Sequence, residues 1–374
     1  MADTAFGLLT SLQKKVWLTK VRVQGRHRSF WNSNGFISGG SEDTNTPVTR
    51  VTELTETERG TEAVMPLVPD LSVDSGVVGD NELENNEVAL QADSQTIRID
   101  QIRNAVRSRG AMSEQETVIR FRAQAQDKLA FWLADVKDEL QFLTIAGRAY
   151  TLNTNGSTRG ASQLSQLRFA SDVVAASTNR IMHAGSATSE ATLTAADTMN
   201  WDLIVRAKAF AKRKAIAPVR MGGREYYALV TSTEQSRDLS QSADYKSLTA
   251  QAMPRGTDNP LFMNAKRVVD DTIIYDHQKV FNTLGLGSGS RWGAGGTIHG
   301  AQAQLLGAQA LGICELTKGS RMVENSLRDY ENRPGIGIRN IFGTLKPQFK
   351  SKYDSNTTED YGTVAIKTAA AASS

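Results

Sequence analysis

Apolar and polar positions recur along the chain with two distinct periods, separated by stretches with no period at all. Between residues 113 and 147 the apolar positions fall at Val118, Phe121, Ala125, Leu129, Trp132, Val136, Leu140 and Leu143. Steps of three and four residues put these side chains on one helical face. Arg120, Asp127, Lys128, Asp135 and Asp138 interleave on the other side. Ser113 and Glu116 make a capping box before the run, and Gly147 is placed to end it. The spacing predicts one long amphipathic helix over 113–147, a rod of about 50 Å. A second helix is expected from Thr194-Ala195-Ala196-Asp197 to about Lys214, with Met199, Leu203, Phe210 and Ile216 apolar, and a short one over 233–239.

The other period is two. Residues 46–54, 224–231, 267–275, 278–283, 335–345 and 361–369 are β-branched or alternating and read as strands. Residues 303–316 form an apolar run. Pro66 and Pro69 exclude 65–69 from a helix interior or a central strand, because proline brings no amide proton. Residues 71–78, an acidic turn over 79–87, and the return through 88–90 and 95–102 suggest a long two-stranded excursion. It holds too few large apolar residues for a core, and a lone hairpin is marginal in water. The expected support is another subunit.

Residues 1–45 have little periodicity beyond a short amphipathic start at 5–16. They are rich in Ser, Asn and Gly beyond Gly25, the composition of a loop or arm. Trp17, Phe30, Trp31 and Phe36 are set among them. Aromatic residues in such a poor core-former are expected to pack on a neighbouring chain.

Charge sharpens this division. The 374 residues carry 43 basic and 40 acidic side chains, a net charge of +3, too even for a protein devoted to gripping nucleic acid. Yet no acid occurs from Thr4 to Ser41, where Lys14, Lys15, Lys20, Arg22, Arg26 and Arg28 lie, and acids dominate from Glu42 to Glu87. A basic arm and an acidic loop are thus expected to have partners of their own. Lys14, Lys15, Trp17, Arg22, Arg26 and Trp31 in the arm, and Asp80, Glu82, Glu84 and Glu87 in the loop, are the candidate inter-subunit contacts. Sequence-independent phosphate binding by the arm, or by the basic stretch Arg206–Lys214, is a further reading beside a solvated face.

Chemistry is thinly represented. One cysteine, Cys314, excludes an internal disulfide and a cysteine-based zinc site, and its apolar neighbours predict burial. The four histidines (His27, His183, His277, His299) show no metal-ligand spacing. Asp276 and His277 are adjacent in a strand-like run and would point to opposite faces. Gly285-Leu286-Gly287-Ser288-Gly289 lacks the following helix of a phosphate-cradling loop and reads as a flexible loop. Neither a cofactor nor a metal nor a catalytic residue is expected. No membrane span or signal peptide is expected either.

The order of parts resembles the major capsid proteins of tailed bacteriophages with the Hong Kong 97-type fold, and most closely their N-four-like podophage branch. The resemblance is carried by residues 99–107 leading through 112–115 into the helix, 259–262 ahead of 272–275, 305–311, 329–338 and 360–366. It spans roughly residue 46 to the end and rests on joint order rather than one fingerprint. It implies an α+β fold with an N-arm (1–45), an extended β-hairpin loop with flanking strands (46–112), a spine-helix peripheral domain (113–150), an α/β axial domain (151–300), and return strands of the peripheral and axial domains with the C-terminus (301–374). In that frame Val118, Phe121, Leu129, Trp132, Val136 and Leu140 form the core face of the spine helix.

The resemblance also implies pentamers and hexamers closing an icosahedral shell around double-stranded DNA, a virion location after assembly in the host cytoplasm, and no enzymatic turnover. Its partners would be a portal protein, a scaffolding protein, a decoration or cement protein and non-specifically held DNA, with no membrane. No cleaved scaffold segment is expected at the N-terminus. Three rivals stand beside it: an encapsulin-like protein compartment, a nucleotide-binding enzyme using residues 285–296, and a monomeric DNA-binding protein.

Overall fold

A computed structural model describes residues 29–40, 43–51, 60–67, 77–84, 87, 93–112, 121–221, 223–252, 267–316, 321–325, 332–351, 354 and 357–372. Two sheets with separate cores organise the chain, and one helix lies against both.

The first sheet has five strands. Strand β1 (Val48–Val51) runs parallel to β11 (Leu311–Glu315), which is antiparallel to the long β13 (Gly335–Leu345). The other half of β13 pairs with β12 (Arg321–Asn325) and β4 (Asp100–Arg107). On β13, Ile336, Ile338 and Phe342 share one face by the strand's period of two and join the core that receives Leu129, Leu133, Leu140 and Leu143 of the long helix. Helix α2 is described over Phe121–Ala146. The capping box at Ser113 and Glu116, and Val118, lie outside the described residues; Phe121 opens the described part.

Gly147 ends α2 as expected. Its φ of +66° is left-handed, its amide donates to Thr144 O, and the Arg148 amide donates to Leu143 O. This paired closure is the Schellman pattern. A Cβ at Gly147 would also sit 2.5 Å from the Val174 carbonyl oxygen, so both conformation and space demand glycine.

The second sheet has seven strands in the order β5 (Ile181–His183), β16 (Thr363–Ala369), β10 (Gly300–Leu306), β7 (Arg224–Thr231), β9 (Thr272–Asp276) and β8 (Arg267–Val269), with β6 (Val219–Met221) also on β7. It is covered on both faces, so its strands are nearly all apolar or buried. Tyr227, Leu229, Ile274, Ala303 and Leu305 meet Leu203, Ile204, Ala207 and Ala211 of helix α3 (Trp201–Arg213) and Leu239 of α4 (Thr233–Gln241). Ala228, Val230, Tyr275 and Leu306 face the other way. Helix α5 (Ala243–Ala252) follows α4.

Helix α3 starts later than the sequence suggested. Asn200 is its N-cap, its side chain accepting from the Leu203 amide at 2.9 Å. Residues 194–197 form a separate turn in which Asp197 accepts from the Thr194 amide and hydroxyl, each at 2.8 Å. The same residue types can cap a turn that does not continue. Strand-like residues 278–283 are also not a strand; Asn282 makes only an isolated bridge to Ala301.

Candidate inter-subunit surfaces

The N-terminal segment is not a free arm from Ser29 onward. Phe30–Ser33 form a short helix, α1, whose first amide donates to Asp138 Oδ2 at 2.7 Å, while the Ser29 hydroxyl donates to Oδ1 at 2.8 Å. Asp138 reaches from the middle of α2 to cap a helix far away in sequence. Burial pushes its carboxyl up from the ordinary range, opposed by the hydrogen bonds from Phe30 and Ser29 and by Lys279. Behind this cap, Phe30 and Trp31 pack on Phe142 at ring distances of 5.3 and 5.0 Å, and Phe36 on Tyr275 at 4.8 Å. His277 stacks flat on Phe142 at 5.0 Å, so its ring serves packing beside an exposed Asp276.

Trp31 is therefore corrected. It is 1% exposed and fills its own chain's core, leaving no surface for a neighbour. The physical reason lies in α2. Its last turns are apolar on two faces: Leu140, Leu143 and Ala146 meet the first sheet's core, while Phe142 and Ile145 meet the N-terminal aromatics and the second sheet. One helical face was legible; the second needed a cover, which Phe30, Trp31 and Phe36 provide. Lys14, Lys15, Trp17, Arg22 and Arg26 lie outside the described residues.

The hairpin root contrasts with this. Among the described residues, strand β2 (Glu62–Leu67) pairs with β3 (Asp93–Arg98) alone, and Pro66 sits in this two-stranded edge position. Ala63, Met65, Ile97 and Ile99 anchor one side with Cys314, which is fully buried. Outward, Val64 is exposed, Val78 is 83% exposed and Leu83 is 58% exposed. Asp80, Glu82, Glu84 and Glu87, between these two strands in sequence, are all exposed, and residues 68–76, 85–86 and 88–92 lie outside the described residues.

On the spine helix, Leu129 and Leu140 are buried, and Trp132 and Val136 pack half-buried on the same core. Trp132 and Val136 also wall an open groove of about 950 Å³, whose other sides are β4, residues 161–167 and the Gly337–Arg339 part of β13.

The lysines of α3 and its C-cap pair with acids of the same chain. Lys208 donates to Asp270 and Asp271 at 2.8 Å each, Lys212 lies 3.7 Å from Glu225, and Lys214 pairs with Asp354. Asp354 also takes Arg180 at 2.6 Å, both side chains almost fully buried. Burial would raise the Asp354 carboxyl, but Lys214 and Arg180 hold it below the ordinary range. Nearby, Lys346 and Asp360 form a second buried pair at 3.0 Å. The partners in these ion pairs lie up to 174 residues apart, and no sequence spacing signals them.

The glycine loop is closed on itself rather than loose. The amides of Gly285, Gly289, Gly293 and Gly296 donate to carbonyls of Asn155, Gly296, Glu190 and Gly293. Trp292 is buried and bridges Ile298, and Gly300 is glycine because a Cβ would overlap the Trp292 ring. A phosphate cradle needs such amides pointing outward, so the nucleotide reading fails here. Among the described residues no cluster of metal-ligating side chains occurs, and no helix is long and apolar enough to cross a membrane.

Comparison with known proteins agrees with this architecture. A family profile described as phage capsid protein matches residues 10–372. The major capsid protein of Pseudomonas phage KPP25 is 39% identical over 377 residues, covering 98% of each chain. The solved capsid of Ralstonia phage GP4 superposes with a TM-score of 0.79 at 25% identity, covering 100% of this chain and 99% of that one. The cyanophage Pam1 capsid shares the fold, with a TM-score of 0.73 at 19% identity over the full length of both chains. The architecture is the α+β Hong Kong 97-like capsid fold, and phage capsid relatives favour a virion shell over a protein compartment. Matched along nearly its whole length by that profile and by a close relative, the chain belongs to the phage major capsid protein family.

Proposed function

We propose that the chain assembles as pentamers and hexamers into an icosahedral shell around double-stranded DNA, and that its hairpin projection is completed by a neighbouring subunit. In this reading α2 and the five-stranded sheet are the peripheral domain, and the seven-stranded sheet with α3 and α4 is the axial domain. Of the strands over 300–374, β10 and β16 pair in the seven-stranded sheet, and β11, β12 and β13 in the five-stranded one, so in this reading the return strands serve both domains.

The observation that carries the reading is the exposure of Val78 and Leu83 beside Asp80, Glu82, Glu84 and Glu87. Val78 and Leu83, between β2 and β3 in sequence, are exposed large aliphatics, and burying each against a partner is worth roughly 1.5–3 kcal/mol. The acids add direction more than strength, since exposed pairs contribute ~0–1 kcal/mol each. Lys14, Lys15, Arg22 and Arg26 supply positive charge for a neighbour's acids or for DNA on the inner face. A portal, a scaffolding protein and a decoration protein complete the assembly in the host cytoplasm. The chain works through repeated interfaces, without turnover.

Deleting residues 70–87 while keeping the body tests the role of the projection. Electron microscopy is expected to show subunits without closed particles. Closed particles at normal yield would remove the projection from assembly.

A further inference from the structure

A small cavity of about 10 Å³ lies where helix α1, the second face of α2 and strand β10 meet. Phe142, Ile145 and Val230 give it apolar walls, and Trp31, Gln302 and Gln304 give it polar ones. Gln302 and Gln304 stand two residues apart on β10 and so share the face turned to α2.

The two glutamines differ in what they bond. Gln302 Nε2 donates to the Ala146 carbonyl at 3.0 Å, and its Oε1 accepts from Arg148 Nη2 at 3.4 Å. Gln304 is 5% exposed, yet among the described residues neither its Oε1 nor its Nε2 has a hydrogen-bond partner. Trp31 carries a third such atom, the buried indole Nε1. Two donors and one acceptor thus belong to residues lining one cavity. Burying them unbonded forfeits their hydration without return, whereas an apolar residue of the same shape at position 304 would carry no such cost.

These atoms define what fits between them. Nε1 offers one hydrogen and Nε2 two, while Oε1 accepts, so the ligand must accept and donate at once. A metal cation would meet the donor hydrogens. An anion would find no countercharge, since every lining residue is neutral. A cavity of this size holds about one water.

We propose that the cavity is a binding site for a single water molecule that joins Trp31 of the N-terminal segment to Gln304 of the seven-stranded sheet. The water accepts from Trp31 Nε1 and donates to Gln304 Oε1. Asp138 already holds the polar start of α1, and the water holds the one polar atom of the Trp31 side chain. The segment is then fastened to the second sheet by a directional link as well as by ring packing, and the link fixes the indole in one orientation.

A structure of the full-length chain fine enough to show ordered water, from assembled shells or from crystals of the subunit, tests the site directly. Density for one water is expected about 3 Å from both Trp31 Nε1 and a Gln304 amide atom. With water visible elsewhere in the cores and none here, the proposal falls. In free full-length subunits, Trp31 is replaced by 3-benzothienylalanine, which keeps the ring shape and loses the N–H, and Gln304→Met is made singly and in combination with it. Each single change is expected to raise the unfolding constant, read from urea denaturation, by roughly tenfold. The pair together should raise it by well under a hundredfold, because one bridge is lost only once. Losses that simply multiply overturn the bridge. Coupling without density between the two residues means a direct bond from Nε1 to the amide, and overturns the water.

Discussion

Two segments that look alike in sequence end in opposite places. Residues 29–51 and 62–98 both lie outside the predicted helices, and the sequence points both toward a neighbouring chain. The first is drawn into its own body, where Phe30, Trp31 and Phe36 are buried and β1 adds to the five-stranded sheet. The second keeps Val64, Val78 and Leu83 in solvent. The difference lies in payload and anchorage. Three aromatic rings bury far more area than three aliphatics, and Asp138 satisfies the polar end of the aromatic segment. Ala63, Met65, Ile97 and Ile99 bury the root of the hairpin, while Val64, Val78 and Leu83 lie outside that anchor and stay exposed.

The largest test of this contrast is Trp31→Ala. It opens a cavity between α2 and the second sheet and should cost about 3–5 kcal/mol, read as a lower urea midpoint with unchanged slope. A loss within the noise would mean that the segment is an arm after all. Asp138→Ala comes next. It strands the Phe30 amide and Ser29 hydroxyl, at about 1–3 kcal/mol.

The Asn variant at the same position reports on charge. Because the Asp138 carboxyl is raised in the folded chain, the folded state holds its proton more tightly than the unfolded chain. Its contribution to stability therefore falls as pH rises from the ordinary carboxylate value, about 3.9, through the folded one. Asp138→Asn lacks this loss. Its stability relative to wild type should improve as pH rises through that window, and a pH-independent difference in unfolding midpoint would contradict the buried-carboxylate account.

On the hairpin, Val78→Ser with Leu83→Ser should leave subunit stability within about 0.5 kcal/mol while lowering the yield of closed particles. Equal yields would point to a surface that stays in solvent. The smallest effect is expected from Asp80→Asn with Glu84→Gln. Stability should not move, and any assembly defect should fade in high salt, where exposed charges are screened.

Much of the scaffold was legible because local rules set it. The α2 face is written in steps of three and four, its end in Gly147, and residues 224–231 and 335–345 appear as strands where alternation placed them. Ownership of the aromatics was not legible, since a sequence does not say whose core a Trp31 fills. The register of a parallel pair such as β1 with β11 is fixed by tertiary contacts across more than 260 residues. The false start at residue 194 came from a Thr–Asp pair that caps a turn as readily as a helix. Trp31 and Gln304, like Arg180 and Asp354, are brought together only by the fold.

Strand β16 lies between β5 and β10 inside the seven-stranded sheet, and all seven of its residues are buried. A ribosome delivers residues 363–369 after every other strand of that sheet. Until they arrive, β5 and β10 face each other across an empty slot, and their unpaired amides and carbonyls are open to any passing edge. The sheet therefore closes only after residues 363–369 have left the ribosome. A chain interrupted before residue 363 carries an unfilled slot that marks it for degradation or aggregation.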